Sequence, residues 1–407
     1  MLQHIIGVLA VLLVLVVATV TSIVFILMRR RRRLGVILLG ITVLLGLAAG
    51  WKIFYAHSFN KTYHTSSAIN LSALRARANA ANIYLGATAD VNMLADPRFL
   101  TAFNSVTPEN ALKLGELLSG GKIGAYDFSK ADAIVDRAIN QGLRVRGHTL
   151  IWGKASDLFK SPDLEAYLQG FPAAQRPRVL RQVVEQHIDT VVSHYRGRIS
   201  MWDVVNEPLY LFWSPRIDEN VFYRYLGPDY IADMFRMARK ANPEAKLYLN
   251  EQLGSFGDAR AEAFFALTSK LRKSGAPIDG AGLQSHFGFA VPSIKEFQDY
   301  LSRITALGVE VEITEMDARL ALFGDAPDPY VAQAEFYGKI LDACLQNPNC
   351  KGVTFWGFTD AHCWMDSLPL LYAKPNEPYL FDEQGLPKPV VEVLDEVLRN
   401  HSGRKAN

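Results

Sequence analysis

From about Leu71 to the C-terminus, short runs of apolar residues alternate with longer stretches in which apolar side chains recur every three to four positions. The first pattern suits a strand buried on both faces, the second an amphipathic helix. Helical spacing is clear in Ile231, Met234, Phe235 and Ala238, and in Leu180, Val183, Val184, Ile188, Val191, Val192 and Tyr195. His187 and His194 fall inside the latter pattern and read as surface or groove residues. Stop signals separate the elements. Asn242-Pro243 ends one helix before a strand at 246–250, and Gly142 closes a helix over 131–139 before a strand at 143–148. Ser293 and Glu296 form a capping box ahead of Phe297, Tyr300, Leu301 and Ile304, with Gly308 as the stop.

Eight short apolar runs result, near residues 83–88, 103–107, 143–148, 199–205, 246–250, 280–284, 309–313 and 352–358. Eight strands alternating with helices predict an α/β fold, a (β/α)8 TIM barrel over residues 76–400 followed by a tail at 401–407. A doubly wound sheet would call for a Gly-rich first turn, and the chain has none.

Residues 1–56 follow another pattern. An apolar run at 5–28, interrupted only by Thr19, Thr21 and Ser22, is long enough to span a bilayer. Five arginines at 29–33 follow, then a shorter run at 34–50 bordered by Trp51, Lys52 and Tyr55. Arginines held on the cytoplasmic side predict a transmembrane hairpin or signal-anchor that leaves the barrel in the periplasm or outside the cell. The alternative is a secretory signal starting at Met28, with its apolar region from Leu34 and small residues Ala48 and Gly50 at the cleavage positions. Both readings export the barrel, joined through a tether at 57–75.

The formal charge of +2 hides an asymmetry, because the cationic N-terminal segment has no Asp or Glu while the remainder is acidic on balance. Nucleic acid is therefore not expected as a partner. Cys344 and Cys350 are close enough in sequence to bridge a helix end to the next strand, which suits an exported protein; the alternative, with Cys363, is three unpaired, buried thiols.

Barrel enzymes build their sites from the C-terminal ends of strands. The polar and aromatic residues there are Glu109, Asn110, Lys113, His148, Trp152, Asn206, Glu207, Gln284, His286, Glu315, Asp317 and Trp356. Two strand-end carboxylates meet the needs of glycoside cleavage, one protonating the departing oxygen and one attacking or stabilising the anomeric centre. Asn206 offers an amide to a sugar hydroxyl, and Trp152, Trp356 and Trp364 offer flat faces for a pyranose. His286 is placed to hold Glu315 ionised while Asp317 orients the imidazole. A lone Glu after a strand is more often a salt bridge or cap; Glu207 is set apart by Pro208, which keeps its neighbour extended. Glu251 reads as structural, and Lys113 alone as a solvated helix residue. With no His-x-His on an early strand and no His-Glu-x-x-His, neither a metal nor another cofactor is expected.

Six segments in order resemble glycoside hydrolase family 10, mostly endo-β-1,4-xylanases: Phe103-Asn-Ser-Val-Thr-Pro-Glu-Asn110 with Lys113, Arg146-Gly-His-Thr-Leu-Ile-Trp152, Trp202-Asp-Val-Val-Asn-Glu-Pro208, Gly282-Leu-Gln-Ser-His286, Ile313-Thr-Glu-Met-Asp317 and Phe355-Trp-Gly-Phe-Thr-Asp360. The resemblance implies Glu207 as acid/base and Glu315 as nucleophile of a retaining mechanism, which requires carboxyls roughly 5–5.5 Å apart. It implies glycone contacts from Glu109, Asn110, Lys113, His148 and Trp152, groups around the nucleophile at Gln284 and His286, aromatic walls at Trp356 and Trp364, and a Cys344–Cys350 disulfide.

Two departures stand out. Where the family usually continues Trp-His-small-Gln, this chain has Gly153-Lys154-Ala155, and where it more often has Asn-Asp the chain has Asn250-Glu251. The expected function is an exported, monomeric endo-β-1,4-xylanase acting on xylan or xylo-oligosaccharides. The alternatives are a hydrolase of another β-glycan or short oligosaccharide, and a catalytically silent sugar receptor.

Overall fold

The computed structural model describes residues 71–403 except 155–162, 211–215, 369–371 and 373, together with Val36 and Leu39. The apolar runs at 5–28 and 34–50 otherwise lie outside the described residues, as does most of the tether. Among the described residues no helix is long and apolar enough to cross a membrane. The barrel belongs to one compact unit that includes residues up to Trp364 and resumes at Asn376; residues 365–375 group apart from it.

Ten strands form the wall: β1 (Tyr84–Ala89), β2 (Ser105–Pro108), β3 (Arg144–Gly147), β4 (Ile151–Trp152), β5 (Met201–Asn206), β6 (Lys246–Glu251), β7 (Gly280–Leu283), β8 (His286–Phe287), β9 (Glu310–Ala318) and β10 (Cys350–Phe355). The order β10-β1-β2-β3-β5-β6-β7-β9 closes through a β9–β10 pairing, and every ladder is parallel. Two-residue β4 and β8 extend the staves of β3 and β7, pairing with β5 and β9 at the site end. Each expected apolar run thus becomes one stave, because strands covered by helices outside and filled inside admit few polar side chains except where function or pairing demands them.

Helices cover the wall. Helix Tyr230–Ala241 buries Ile231, Met234, Phe235 and Ala238, the stripe its spacing predicts, each large side chain contributing about 1.5–3 kcal/mol by burial. Ser293 and Glu296 form the expected reciprocal cap on helix Ile294–Thr305. Helix Leu71–Ala80 overlaps the last residues read as tether, with Leu74 and Ala78 fully buried. Helix Pro329–Gln346 is joined to the first residue of β10 by the Cys344–Cys350 disulfide, while Cys363 is a buried thiol. His187 corrects the surface expectation: it is 1% exposed, its Nε2 3.0 Å from Leu150 O, and burial lowers its pKa to about 4.

The barrel interior below the site is ionic. Arg146, fully buried, bonds Asp203 at 2.7 Å and Glu312 at 3.0 Å, and Arg144 bonds the other oxygen of Glu312 at 2.8 Å. Above this floor two staves break register. On β5, Asp203 pairs with Tyr248 but Val205 already pairs with Leu249; on β9, Ile313 pairs with Val353 and Met316 with Phe355. Each bulge adds one residue and shifts the alternation of side chains, so that Asn206 faces inward like Asp203, and Glu315 inward like Thr314.

Candidate active site

The two re-aimed strand ends meet over a chain of carboxamides. Asn250, the penultimate residue of β6, donates from Nδ2 to Asn206 Oδ1 at 2.8 Å and to Glu315 Oε1 at 2.7 Å, while its Oδ1 accepts from Thr314 at 2.7 Å. Gln284, just beyond β7, donates from Nε2 to Asn206 Oδ1 at 3.2 Å and to Glu207 Oε1 at 3.1 Å. Glu207 and Glu315 are therefore linked through Gln284, Asn206 and Asn250. Gly282 makes the arrangement fit, since a Cβ there would lie 2.2 Å from Asn250 Oδ1. Asn206 Oδ1 is occupied by two amide donors, so what this residue can offer a sugar is its NH2 group.

Glu315 is 4% exposed. Its Oε2 lies 3.1 Å from His286 Nε2, and His286 Nδ1 lies 2.8 Å from Asp317 Oδ2. Burial alone would lower the His286 pKa, but the charges and hydrogen bonds of Asp317 and Glu315 outweigh it and raise it to about 10. An imidazolium donating to both carboxylates follows. Burial alone would raise the Glu315 pKa; the hydrogen bond from His286 and the charges of His148 and His286 prevail and hold it below the usual carboxylate range. His148 Nδ1 stands 2.8 Å from Asp203 Oδ2 and 3.9 Å from Glu315 Oε1. Trp364 donates from Nε1 to Asp317 Oδ2 at 2.7 Å, and Trp356 meets the rings of His148 and His286 edge-on at 5.2 and 6.1 Å. The sequence reading of Glu315, His286 and Asp317 as one assembly matches this geometry.

Glu207 is half-buried, and its Oε2 accepts from Trp152 Nε1 at 3.2 Å. Both of these carboxylate contacts, from Trp152 and Gln284, come from neutral donors. Its backbone corrects the expectation drawn from Pro208: φ is +49°, in the left-handed region rather than extended, and its N–H donates to Asn250 O at 2.8 Å. The tertiary hydrogen bond overrides the local preference. Lys113 is buried rather than solvated, donating to Asn110 Oδ1 at 2.9 Å with Nζ 4.9 Å above the Trp152 ring. Glu109 sits half-buried beside Asn110. Among the described residues no group of three His, Cys, Asp or Glu side chains could hold a metal ion.

Sequence reasoning noted Asn250 only within the Asn250-Glu251 departure and gave it no role, although it stands one residue from the end of β6. It also passed over Asp203, a charge inside a largely apolar strand, and Arg146, one of two arginines on β3. Gly153 proves to be a packing requirement: a Cβ there would lie 2.3 Å from Asn220 Nδ2. Lys154 pairs with Asp218 at 3.2 Å.

A family model described as glycosyl hydrolase family 10 matches residues 73–397. The chain is 33% identical to endo-1,4-beta-xylanase B of Thermotoga neapolitana over 337 residues, covering 80% of this chain and 92% of that protein. Among solved structures, native xylanase 10B of Thermotoga maritima superposes with a TM-score of 0.71 at 34% identity, covering 82% of this chain and 99% of its own. Xylanase 10B of Thermotoga petrophila RKU-1 in complex with xylobiose gives a TM-score of 0.71 at 33% identity, covering 83% and 99%.

Proposed function

Since the chain belongs to glycosyl hydrolase family 10, we propose that it is a retaining endo-β-1,4-xylanase in which Glu315 attacks and Glu207 moves the proton. The observation that carries this reading is the contrast between the two carboxyls: Glu315, buried, is held below the usual carboxylate range by His286 and His148 and accepts from Asn250, while Glu207 accepts from neutral Trp152 and Gln284. In the first step a Glu315 oxygen bonds the anomeric carbon as Glu207 gives its proton to the departing glycosidic oxygen. In the second, Glu207 takes a proton from water, which displaces Glu315 from the same face that the leaving group vacated. The family resemblance assigns the glycone side to Lys113, Asn110, Glu109, His148 and Trp152, with Trp356 and Trp364 as walls.

A second reading concerns the substrate. Asn220 fills the volume beside Gly153, where the family's usual pattern supplies a histidine, and Lys154, at the usual small-residue position, is paired with Asp218. That favours a short oligosaccharide or a different β-glycan over a long xylan chain. The test is product analysis of the exported portion incubated with xylan, mannan, cellulose and mixed-linkage β-glucan, with anomeric configuration followed by NMR. Retained xylo-oligosaccharides support the main reading, activity elsewhere supports the second, and silence on all four leaves a sugar receptor.

The apolar runs at 5–28 and 34–50 around the arginines at 29–33 support a position outside the cytoplasmic membrane, either anchored by those runs or released after cleavage. Membrane fractionation with protease accessibility separates an anchored from a cleaved form.

A further inference from the structure

Glu207 stands just before a segment, residues 208–210, that pairs back against residues 216–218. Leu209 and Ile217 form an antiparallel bridge, Tyr210 N donates to Arg216 O at 2.9 Å, and Asp218 N donates to Pro208 O at 2.8 Å. Everything that fixes this segment fixes the carboxyl of Glu207. On the β4 side the loop is tied by Lys154–Asp218. On the β6 side it is tied by a different device.

Glu251, the last residue of β6, is fully buried, and its Oε2 accepts from Leu209 N at 3.0 Å. Its Oε1 accepts from Arg260 Nη2 at 2.6 Å and from Gln252 N at 2.8 Å. Arg260 in turn donates from Nη1 to Tyr210 O at 2.8 Å and from Nε to Gln252 O at 2.8 Å. One carboxylate–guanidinium unit therefore grips the N–H of residue 209 and the carbonyl of residue 210, two and three positions beyond Glu207. A buried ion pair is a poor way to gain stability, because desolvation offsets most of its attraction. Its geometry is worth more where a backbone must be held against its own preference, and Glu207, non-glycine at a φ of +49°, is such a place.

We infer that Glu251 and Arg260 are positioning residues for Glu207, a clamp from the barrel wall to the acid-bearing loop that sets where the proton is delivered to the leaving group. The inference rests on the reading of Glu207 as the acid. Burial raises the Glu251 pKa to about 7, with Arg260 pulling it down and Glu207 pushing it up. The charge of Glu251 also helps to raise the pKa values of Tyr230 and Tyr300, after burial. The clamp thus sits electrostatically beside the acid as well as mechanically behind it.

The test compares Glu251→Gln and Arg260→Lys with the wild-type full chain on two aryl β-xylobiosides, one with a dinitrophenyl and one with a phenyl leaving group. The readout is kcat/KM, which reports the chain of steps through glycosylation. Glu251→Gln keeps the shape and removes the charge; Arg260→Lys keeps the charge and removes the fork. General acid catalysis is worth about 10²–10⁴-fold, so a displaced acid should cost on the order of tenfold on the phenyl substrate and no more than about twofold on the dinitrophenyl one. Equal losses on both substrates, or a lower Tm with unchanged kcat/KM, would reduce the pair to a structural brace and overturn the inference. Should one variant fail to fold, the other decides by the same ratio. Wild-type protein inactive on both substrates, or a Glu207→Ala variant that shows no leaving-group dependence, would instead strike the reading of Glu207 itself.

Discussion

The two carboxylates of the site are held in opposite ways. Glu315 is buried in the wall, between an imidazolium that a second carboxylate keeps charged and an amide fixed by Thr314. Glu207 lies half-exposed on a loop root, touched by an indole and a carboxamide and steadied through backbone contacts. On the roles proposed above, the group that must stay ionised sits beside fixed charge, whereas the group that must change protonation twice per turnover accepts from two neutral donors, Trp152 and Gln284, which tolerate both states. Under that proposal, environment divides the labour between two chemically identical side chains.

The comparison breaks most sharply at Glu315. Glu315→Ala should lower kcat by at least ~10⁴-fold on every substrate, with circular dichroism unchanged, because no leaving group relieves the need for a nucleophile. Glu207→Ala should cost about 10²–10⁴-fold on xylan or phenyl glycosides and far less in kcat/KM on dinitrophenyl glycosides, since only the former need protonation. Similar losses from both variants on both leaving groups would erase the distinction.

Asp317→Asn tests the charge relay behind Glu315. Losing a charge-assisted hydrogen bond worth about 1.5–3 kcal/mol should lower kcat/KM by roughly ten- to a hundredfold. The same network has a pH signature. The His286 pKa is raised to about 10, above its unfolded value, so its stabilising contribution is full below pH ~6.5 and fades as pH climbs towards 10. Urea unfolding of wild type and His286→Asn at several pH values should show their stability difference shrinking across that window; a difference that grows with pH would refute the imidazolium.

The smallest effect is expected where the chain departs from its family. Gly153→Ala should destabilise by about 1–3 kcal/mol through the clash with Asn220, read as a lower Tm. Asn220→Ala should cost about 1 kcal/mol by removing the cap on Phe222 and Tyr223. The double variant should lose less than the sum, because the smaller side chain leaves room for the new methyl group.

Much of this was legible in the residue order. The staves, the capping box at Ser293 and the strand-end positions of Glu207, Glu315, His286 and Asp317 follow from local patterns that the fold respects. His187 was also readable, since it shares a helix face with Val184, Ile188 and Val191, all buried. The rest depends on contacts between distant segments. Neither the left-handed φ of Glu207 nor the need for glycine at 153 has a local cause; one is set by Asn250 and the other by Asn220. The role of Asn250 emerges only when two bulges turn Asn206 and Glu315 towards it.

Those bulges have a consequence for how the protein can vary. Below them, residues such as Arg146, Asp203 and Glu312 obey one in-out alternation; above them, Asn206, Glu315 and Asp317 obey another. The barrel is in effect two decks joined by a slipped rung on each of two staves. Substitutions among the ions of the lower deck alter its support without changing which way the upper deck points, while deleting the single extra residue would leave the lower deck unchanged and turn Asn206 out of the cleft on one stave or Glu315 on the other.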